Sequence, residues 1–314
     1  MSKNNNSVLI NKLSNYKKLF PLFGFLAGVV FTLLIFLSYS TESKVKTYFY
    51  ELTQRVKSVK LDDKTFHFAG EPVPMNEDTK ERLDRELSVN AYWQSATLLN
   101  IKMSYKYFPI IERILAENGI PDDFKYLAVA ESGLRNLRSS AGAKGYWQFM
   151  APSAKEMGLE VSDEVDERQN IEKSTQAASK YILKLYNRFG NWTNAAAAYN
   201  VGQGSLNKSL TEQKETSYYD LNLNEETSRY IFRIIAIKEI LKNHEDFGFY
   251  IDSDTKYSMT NLKTISITSS ISDLADFAHE QGTTYRLLKY YNPWLISSKL
   301  TLKPGQEYLI KVPN

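Results

Sequence analysis

Nineteen consecutive positions, Leu19 to Leu37 (LFPLFGFLAGVVFTLLIFL), carry no charge. That run approaches the roughly 20 residues that span a hydrocarbon core of about 30 Å, and it lacks the polar stripe of a helix resting on a soluble core. The pattern predicts one transmembrane helix over 19–39, preceded by a tail over 1–18. Lys3, Lys12, Lys17 and Lys18 precede the run with no acidic residue among them. The positive-inside rule then keeps the N-terminus cytoplasmic and the remainder outside, as in a single-pass cell (inner) membrane protein with a periplasmic or extracytoplasmic domain. Ser38 and Ser40 fit the small-residue spacing of a cleavage site. The apolar run nevertheless exceeds the roughly 7–15 residues of a signal peptide, so a retained anchor is expected.

Beyond the run, Val45, Phe49, Leu52, Val56 and Val59 recur at gaps of four and three. Such a seam suits either a short coiled coil or a stalk helix lying against its own domain, and 40–67 is read as a stalk or linker. From Phe68 to Tyr250 the apolar periodicity is helical and strand alternation is scarcely visible, giving a mainly α domain over 68–250. Gly and Pro mark its joints, among them Gly119–Pro121, Gly142, Gly145, Pro152, Gly190, Gly202 and Gly204. Its last helix, about Glu226–Asn243, is apolar nearly all round and is predicted to lie at the centre of a bundle. After Tyr250 come a β-like run at Thr264–Ile267, helical stretches at Ile271–His279 and Thr284–Tyr291, and a second β-like run at Glu307–Val312. These predict a small α+β unit of βααβ order within 257–314, with Pro304 and Gly305 turning the chain into the last strand.

Composition narrows the function classes. With 314 residues, 43% of them hydrophobic and 24% charged, the chain has ordinary globular usage and room for a sizeable core. A net charge of +3 from 39 basic and 36 acidic residues argues against a protein held on nucleic acid by charge. No cysteine is present, which excludes disulfides, thiolate metal sites and cysteine nucleophiles. His67, His244 and His279 stand far apart, without metal-ligand spacing, so no metal site is expected. The 21 tyrosines, 16 phenylalanines and four tryptophans suit sugar faces, interfaces and cores alike.

One residue looks out of place. Pro121, Asp122 and Asp123 suit a helix N-terminus, and the apolar stripe Phe124, Leu127, Ala128 leads to Glu131, seven positions after Phe124. Gly133 offers a helix stop, so Glu131 falls in the last turn, on the buried face, where the helix dipole disfavours negative charge. Burial and dipole both push its pKa up, toward the protonated acid that a glycosidic oxygen requires. The segment alone equally allows a buried glutamate satisfied by Arg135 or Arg138.

The neighbouring segments separate these readings. Glu131-Ser132, Gly145-Tyr-Trp-Gln148-Phe-Met150, Ala198-Tyr199-Asn200 and Glu226-Thr227 with Tyr230, in this order, resemble the soluble lytic transglycosylase fold of glycoside hydrolase family 23. Phe68-Ala-Gly-Glu-Pro-Val-Pro74, NAYWQSATLL from Asn90, and Phe108-Pro109 before Gly119-Ile-Pro resemble its membrane-bound D-type branch. Lys263 to Pro313, with Asp273-Leu-Ala-Asp-Phe-Ala, Leu287-Leu-Lys-Tyr-Tyr-Asn292-Pro and Leu302-Lys-Pro-Gly305-Gln, resembles a LysM module, a type that binds N-acetylglucosamine-containing glycans; Thr268-Ser-Ser stands where Gly-Asp-Thr is usual.

The resemblance implies a lysozyme-like domain with Glu131 as the only catalytic carboxylate and no cofactor. It implies substrate contacts from Ser139, Gln148, Tyr199, Asn200 and Tyr230, with the Tyr230 hydroxyl near Glu131 and adjacent Ser140 sharing the register of Ser139. Ser132 is expected to orient structure, and Phe149 and Met150 to pack beneath Gln148. The implied partner is the peptidoglycan glycan strand, with the membrane reached through the N-terminal helix. The implied reaction is cleavage of the β-1,4 bond between N-acetylmuramic acid and N-acetylglucosamine, leaving 1,6-anhydromuramic ends. The alternatives are a hydrolytic muramidase of the same fold and a catalytically idle glycan-binding scaffold.

Overall fold

The computed structural model describes residues 25, 27–38, 58–61 and 64–314, in two units, residues 1–57 and 58–314. In the first, residues 27–38 form an exposed helix (α1). Among the described residues no helix is long and apolar enough to cross a membrane. The rest of the span expected over 19–39 lies outside the described residues, as does the stalk seam from Val45 to Val56.

The second unit begins with a short hairpin, β1 (His67–Phe68) and β2 (Glu71–Pro72), paired antiparallel. Its turn uses Ala69 and Gly70, both at positive φ. The hairpin ties two helix starts together. The Ala69 amide donates to Asp123 Oδ2 at 2.8 Å, at the head of α4 (Phe124–Ser132). Lys238 of α9 (Glu225–Lys242) donates to the same oxygen at 2.7 Å and to the His67 carbonyl at 2.8 Å. The Glu71 carboxylate accepts from the amides of Trp192 and Thr193 at 2.6 and 2.9 Å, so it neutralises the positive end of α7 (Trp192–Val201).

The bundle is completed by α2 (Glu77–Tyr92), α3 (Gln94–Glu117), α5 (Ala151–Glu156), α6 (Ile171–Phe189) and α8 (Gln203–Gln213). As its apolar girth predicts, α9 is central: Tyr230, Ile231, Phe232, Ile234, Ile235 and Ile240 are buried, and it packs on α2, α4 and α7. Ala195 to Ala198 are wholly buried, and these short side chains let α7 approach α6 and α9 closely. Pro109 lies inside α3 at an exposed position; it has no amide proton for the Tyr105 carbonyl, and the helix continues through it. Trp93, inside the helical stretch expected near Asn90, separates α2 from α3.

The C-terminal part follows the βααβ order: β3 (Leu262–Ile267), α10 (Leu274–Glu280), α11 (Tyr285–Tyr291) and β4 (Tyr308–Pro313), with β3 and β4 antiparallel. Its core contains Leu274, Leu288, Trp294, Leu300 and Ile310, and also Val165 from the helical part. The two parts are hydrogen-bonded along 160–166. The Asp166 amide donates to the Trp294 carbonyl at 2.8 Å, and the Ile296 amide to the Glu164 carbonyl at 2.9 Å. The Glu164 carboxylate accepts from the Thr301 amide at 2.6 Å, and the Tyr308 hydroxyl donates to Glu160 at 2.6 Å.

The loop from Arg138 to Met150 is held from below by a buried ion cluster. Arg168 grips Asp166 with two bonds of 2.8 and 2.9 Å and donates to the Phe149 carbonyl at 3.1 Å, while Lys144 lies 3.1 Å from Asp166. Although burial opposes the charge on Asp166, Arg168 and Lys144 hold its pKa below the usual range. Gly145, at φ +84°, passes so close to this strut that a Cβ would sit 1.9 Å from the Arg168 carbonyl oxygen. Gly145→Ala is therefore expected to cost about 3 kcal/mol or more, combining overpacking with a strained backbone. Urea unfolding checks it, and a loss under about 1 kcal/mol would contradict the close approach.

Candidate active site

The helix α4 stops at Gly133, which takes the left-handed conformation (φ 58°, ψ 32°) and returns its amide to the Val129 carbonyl. A side chain there would strike Asn100 Oδ1 at 2.7 Å. Glu131 thus sits in the last turn, beside the unpaired carbonyls of the helix end. Burial raises its pKa to about 7; the Tyr230 hydrogen bond pulls it down, the Glu226 charge pushes it up, and Arg233 pulls it down. The carboxyl is therefore about half protonated at neutrality and increasingly so below it, which suits an acid catalyst.

Tyr230, on the buried face of α9, donates its hydroxyl to Glu131 Oε1. Tyr199, in the last turn of α7, donates to the Trp147 carbonyl at 2.8 Å, and its ring packs on Phe149 and Tyr181 with centroids 6.0 and 5.4 Å apart. Burial, with the Glu131 charge next, raises the pKa of Tyr199, so this phenol too stays neutral. Ser132 donates to the Tyr146 carbonyl at 2.7 Å, stitching the helix to the 145–150 loop. Trp147 is wholly buried and donates to Thr175 Oγ1 at 3.0 Å, which fixes that loop against α6.

Gln148 stands at φ +48°, a conformation costly for a residue with a side chain. Its Nε2 donates to the carbonyls of Leu137 at 3.1 Å and Gly145 at 2.7 Å, which leaves Oε1 without a protein donor among the described residues. Ser139 accepts at 3.0 Å from the Ala143 amide, inside the same loop. Asn200 follows Tyr199 at the end of α7, half-buried, with no side-chain hydrogen bond to the described residues.

Glu131, Tyr230, Tyr199 and the 145–150 loop are thereby linked by hydrogen bonds or mutual charge influence. Phe149 is buried at 4% exposure, whereas Met150 is 43% exposed. Met150 precedes α5 in extended conformation as its N-cap residue. Arg135 and Arg138 form no ion pair with Glu131; the guanidinium that acts on it belongs to Arg233. Periodicity along α9 could have paired Arg233 with Tyr230, three positions apart on one helix face.

Residues 108–222 match the family described as the Transglycosylase SLT domain, and residues 263–314 the Soluble lytic transglycosylase C-terminal LysM-like domain. The chain is similar to the Membrane-bound lytic murein transglycosylase D of Escherichia coli (strain K12), 26% identical over 263 residues, covering 81% of this chain and 56% of the relative. It is also similar to the Peptidoglycan transglycosylase gp16 of Escherichia phage T7, 30% identical over 135 residues, 42% of this chain and 10% of the relative. The Putative tributyltin chloride resistance protein of Alteromonas sp. (strain M-1) is 30% identical over 112 residues, 35% of this chain and 53% of the relative. The chain thus spans about half the length of the first curated relatives it matches. The mainly helical part is SLT-like, and the βααβ part that follows is LysM-like.

A carboxyl with a raised pKa destabilises the fold once it must ionise. Between the unfolded value of 4.5 and the folded value of about 7 the native state holds the extra proton, so stability falls as pH rises through this window. Glu131→Gln removes that cost, about 3 kcal/mol at full ionisation. The variant is expected to melt higher than the parent at pH 8 and close to it at pH 4.5; equal melting shifts at both would contradict a buried acid.

Proposed function

We propose that the chain is a lytic transglycosylase of peptidoglycan, cleaving the β-1,4 bond between N-acetylmuramic acid and N-acetylglucosamine and closing the muramic residue to its 1,6-anhydro form. The observation that carries the reading is Glu131, a half-buried acid with a pKa near 7, hydrogen-bonded by Tyr230. The SLT match over 108–222 and the similarity to transglycosylases support it.

In this reading Glu131 donates its proton to the glycosidic oxygen as the bond to C1 breaks. The muramic 6-hydroxyl then attacks C1, and the Glu131 carboxylate takes the proton which that hydroxyl loses. No water enters, and an intramolecular nucleophile has the advantage of high effective molarity. The Tyr230 hydroxyl stabilises the carboxylate between the two transfers. Gln148 Oε1 and Asn200 are the groups offered to acetamido and hydroxyl groups, Tyr199 offers its ring edge to the sugar, and Ser139 shapes the loop that meets the muramic residue. Ser132 and Met150 are assigned no contact with the reacting atoms.

The arrangement we propose along the chain is a cytoplasmic tail over 1–18, an anchor over 19–39, a stalk over 40–67, the catalytic domain over 68–250 and the LysM-like domain over 257–314. The catalytic domain would face the wall outside the inner membrane, anchored by the N-terminal helix. A hydrolytic route would require a second carboxylate to activate water. Glu226 is the carboxylate whose charge reaches Glu131, which makes it the residue to test.

The test is mass spectrometry of fragments released from purified sacculi. Anhydromuramic ends are expected, with release falling about 10²–10⁴-fold in Glu131→Gln. Glu226→Gln is expected to leave the product unchanged. Hydrated ends that disappear in Glu226→Gln would replace this reading with hydrolysis. Cleavage should also fall as pH rises through about 7, where Glu131 loses its proton. Tyr230→Phe removes a hydrogen bond that lowers this pKa and should move the falling limb to higher pH; Glu226→Gln removes a charge that raises it and should move the limb lower.

A further inference from the structure

Glu131 has an arginine for a neighbour, and the two are ill matched. An arginine free to pair with a carboxyl lowers its pKa by roughly 1–3 and leaves it ionised near neutrality, which a proton donor cannot be. The charge of Arg233 acts on both Glu131 and Tyr230, yet among the described residues Arg233 forms an ion pair with a different carboxylate.

That carboxylate is Glu86 of α2, which is 0% exposed. Its Oε1 accepts from Arg229 Nε, while its Oε2 lies 3.5 Å from Arg233 Nε and accepts no hydrogen bond. Successive residues of a helix turn by about 100°, so on α9 Arg233 stands about 40° round from Arg229 and about 60° from Tyr230. The guanidinium therefore sits between a buried anion on one side and the acid on the other. Its side chain is 29% exposed and donates no hydrogen bond to the described residues. Charge alone holds it, and a side chain held in that way turns readily toward a second anion.

The balance of charge agrees. Along this boundary Glu225 lies 2.8 Å from Arg85 and 3.4 Å from Arg229, Glu86 lies between Arg229 and Arg233, and Glu226 adds the negative charge that acts on Glu131. These arginines and glutamates cancel only while Glu131 is neutral. The remaining groups around the acid leave this unchanged. Burial raises the pKa of both Tyr230 and Tyr199, so neither phenol is charged near neutrality, and Arg135, which lies beside Gly133, is not among the charges that act on Glu131.

We infer that Glu86 is a positioning residue of the reaction: by holding Arg233 toward α2 it keeps the guanidinium from pairing with Glu131, and so preserves the proton that Glu131 delivers. Glu86 acts through Arg233 and touches no reacting atom. The inference rests on the transglycosylase reading for the use of that proton, and on the ion cluster between α2 and α9 for the rest.

The test follows Glu131 itself. Carbon-13 NMR of the full chain in detergent, labelled at its glutamate carboxyls, titrates the signal that Glu131→Gln removes. Glu86→Gln keeps the shape of the side chain and discharges it. The Glu131 titration is expected to move down by about one pH unit, and the falling limb of sacculus cleavage with it. Arg233→Met is expected to move both up. In the Arg233→Met background Glu86→Gln should move neither, because the arginine through which it acts is gone. Taking a buried carboxylate from two arginines is costly to the fold. Should Glu86→Gln not fold, Glu86→Asp replaces it, keeping a charge for Arg229 but drawing it back from Arg233 by one methylene, with the same direction of shift. A titration that the folded Glu86 variant leaves unmoved, or a shift that persists without Arg233, would overturn the inference. The two readings part cleanly: shifted titrations in a chain that cuts no sacculi uphold the role of Glu86 and remove the activity, whereas cleavage with unshifted titrations removes the role of Glu86 and leaves the activity standing.

Discussion

An acid that must keep its proton near neutrality has to be withdrawn from water, and withdrawing a carboxyl from water works against folding. Glu131 meets both demands through its place at the end of α4, where burial and the helix terminus favour the neutral form and one phenol prevents the shift from going further. The partners come from separate elements, so the site exists only when α4 and α9 are in register. The β1–β2 hairpin secures that register from the opposite end of α4, through Asp123 and Lys238. The same hairpin caps α7 with Glu71, which fixes the helix that carries Tyr199 and Asn200.

The other half of the site is a loop, and loops are held by what lies beneath them. Arg168 and Asp166 form a buried pair whose remaining bonds go to loop carbonyls. Removing either partner would leave an unpaired buried charge, which is far worse than never having had the pair. This support is what allows Gln148 to stand in a left-handed conformation with its amide bonded back to Leu137 and Gly145. Strain of that kind persists where the surroundings over-determine it.

Local pattern announces some of this. A charged residue on an apolar stripe followed by glycine identified Glu131 and its helix stop, because both signals lie within one turn or two of the residue itself. The βααβ order was legible because each element there is short and bounded by turn chemistry. The burial of Phe149 and the exposure of Met150 were not separable from the sequence, because a residue next to a helix start can face either way. The Arg168 strut, the close passage of Gly145 and the docking of Glu164 on Thr301 join segments between about twenty and well over a hundred residues apart, and no periodicity records such pairings.

Val165 contributes a helical-part side chain to the core of the LysM-like part, and Glu160 and Glu164 are hydrogen-bonded to it. The relative placement of the two parts is thus written into a packed surface rather than into the chain that joins α9 to β3. The exposed stretch over 252–261 serves as a tether. Closing a loop becomes costlier only with the logarithm of its length, about 0.6 kcal/mol for each doubling. Natural variants of this architecture are therefore free to lengthen or shorten that tether with little thermodynamic consequence, whereas a deletion of one residue within 160–166 would shift every contact that holds the two parts together.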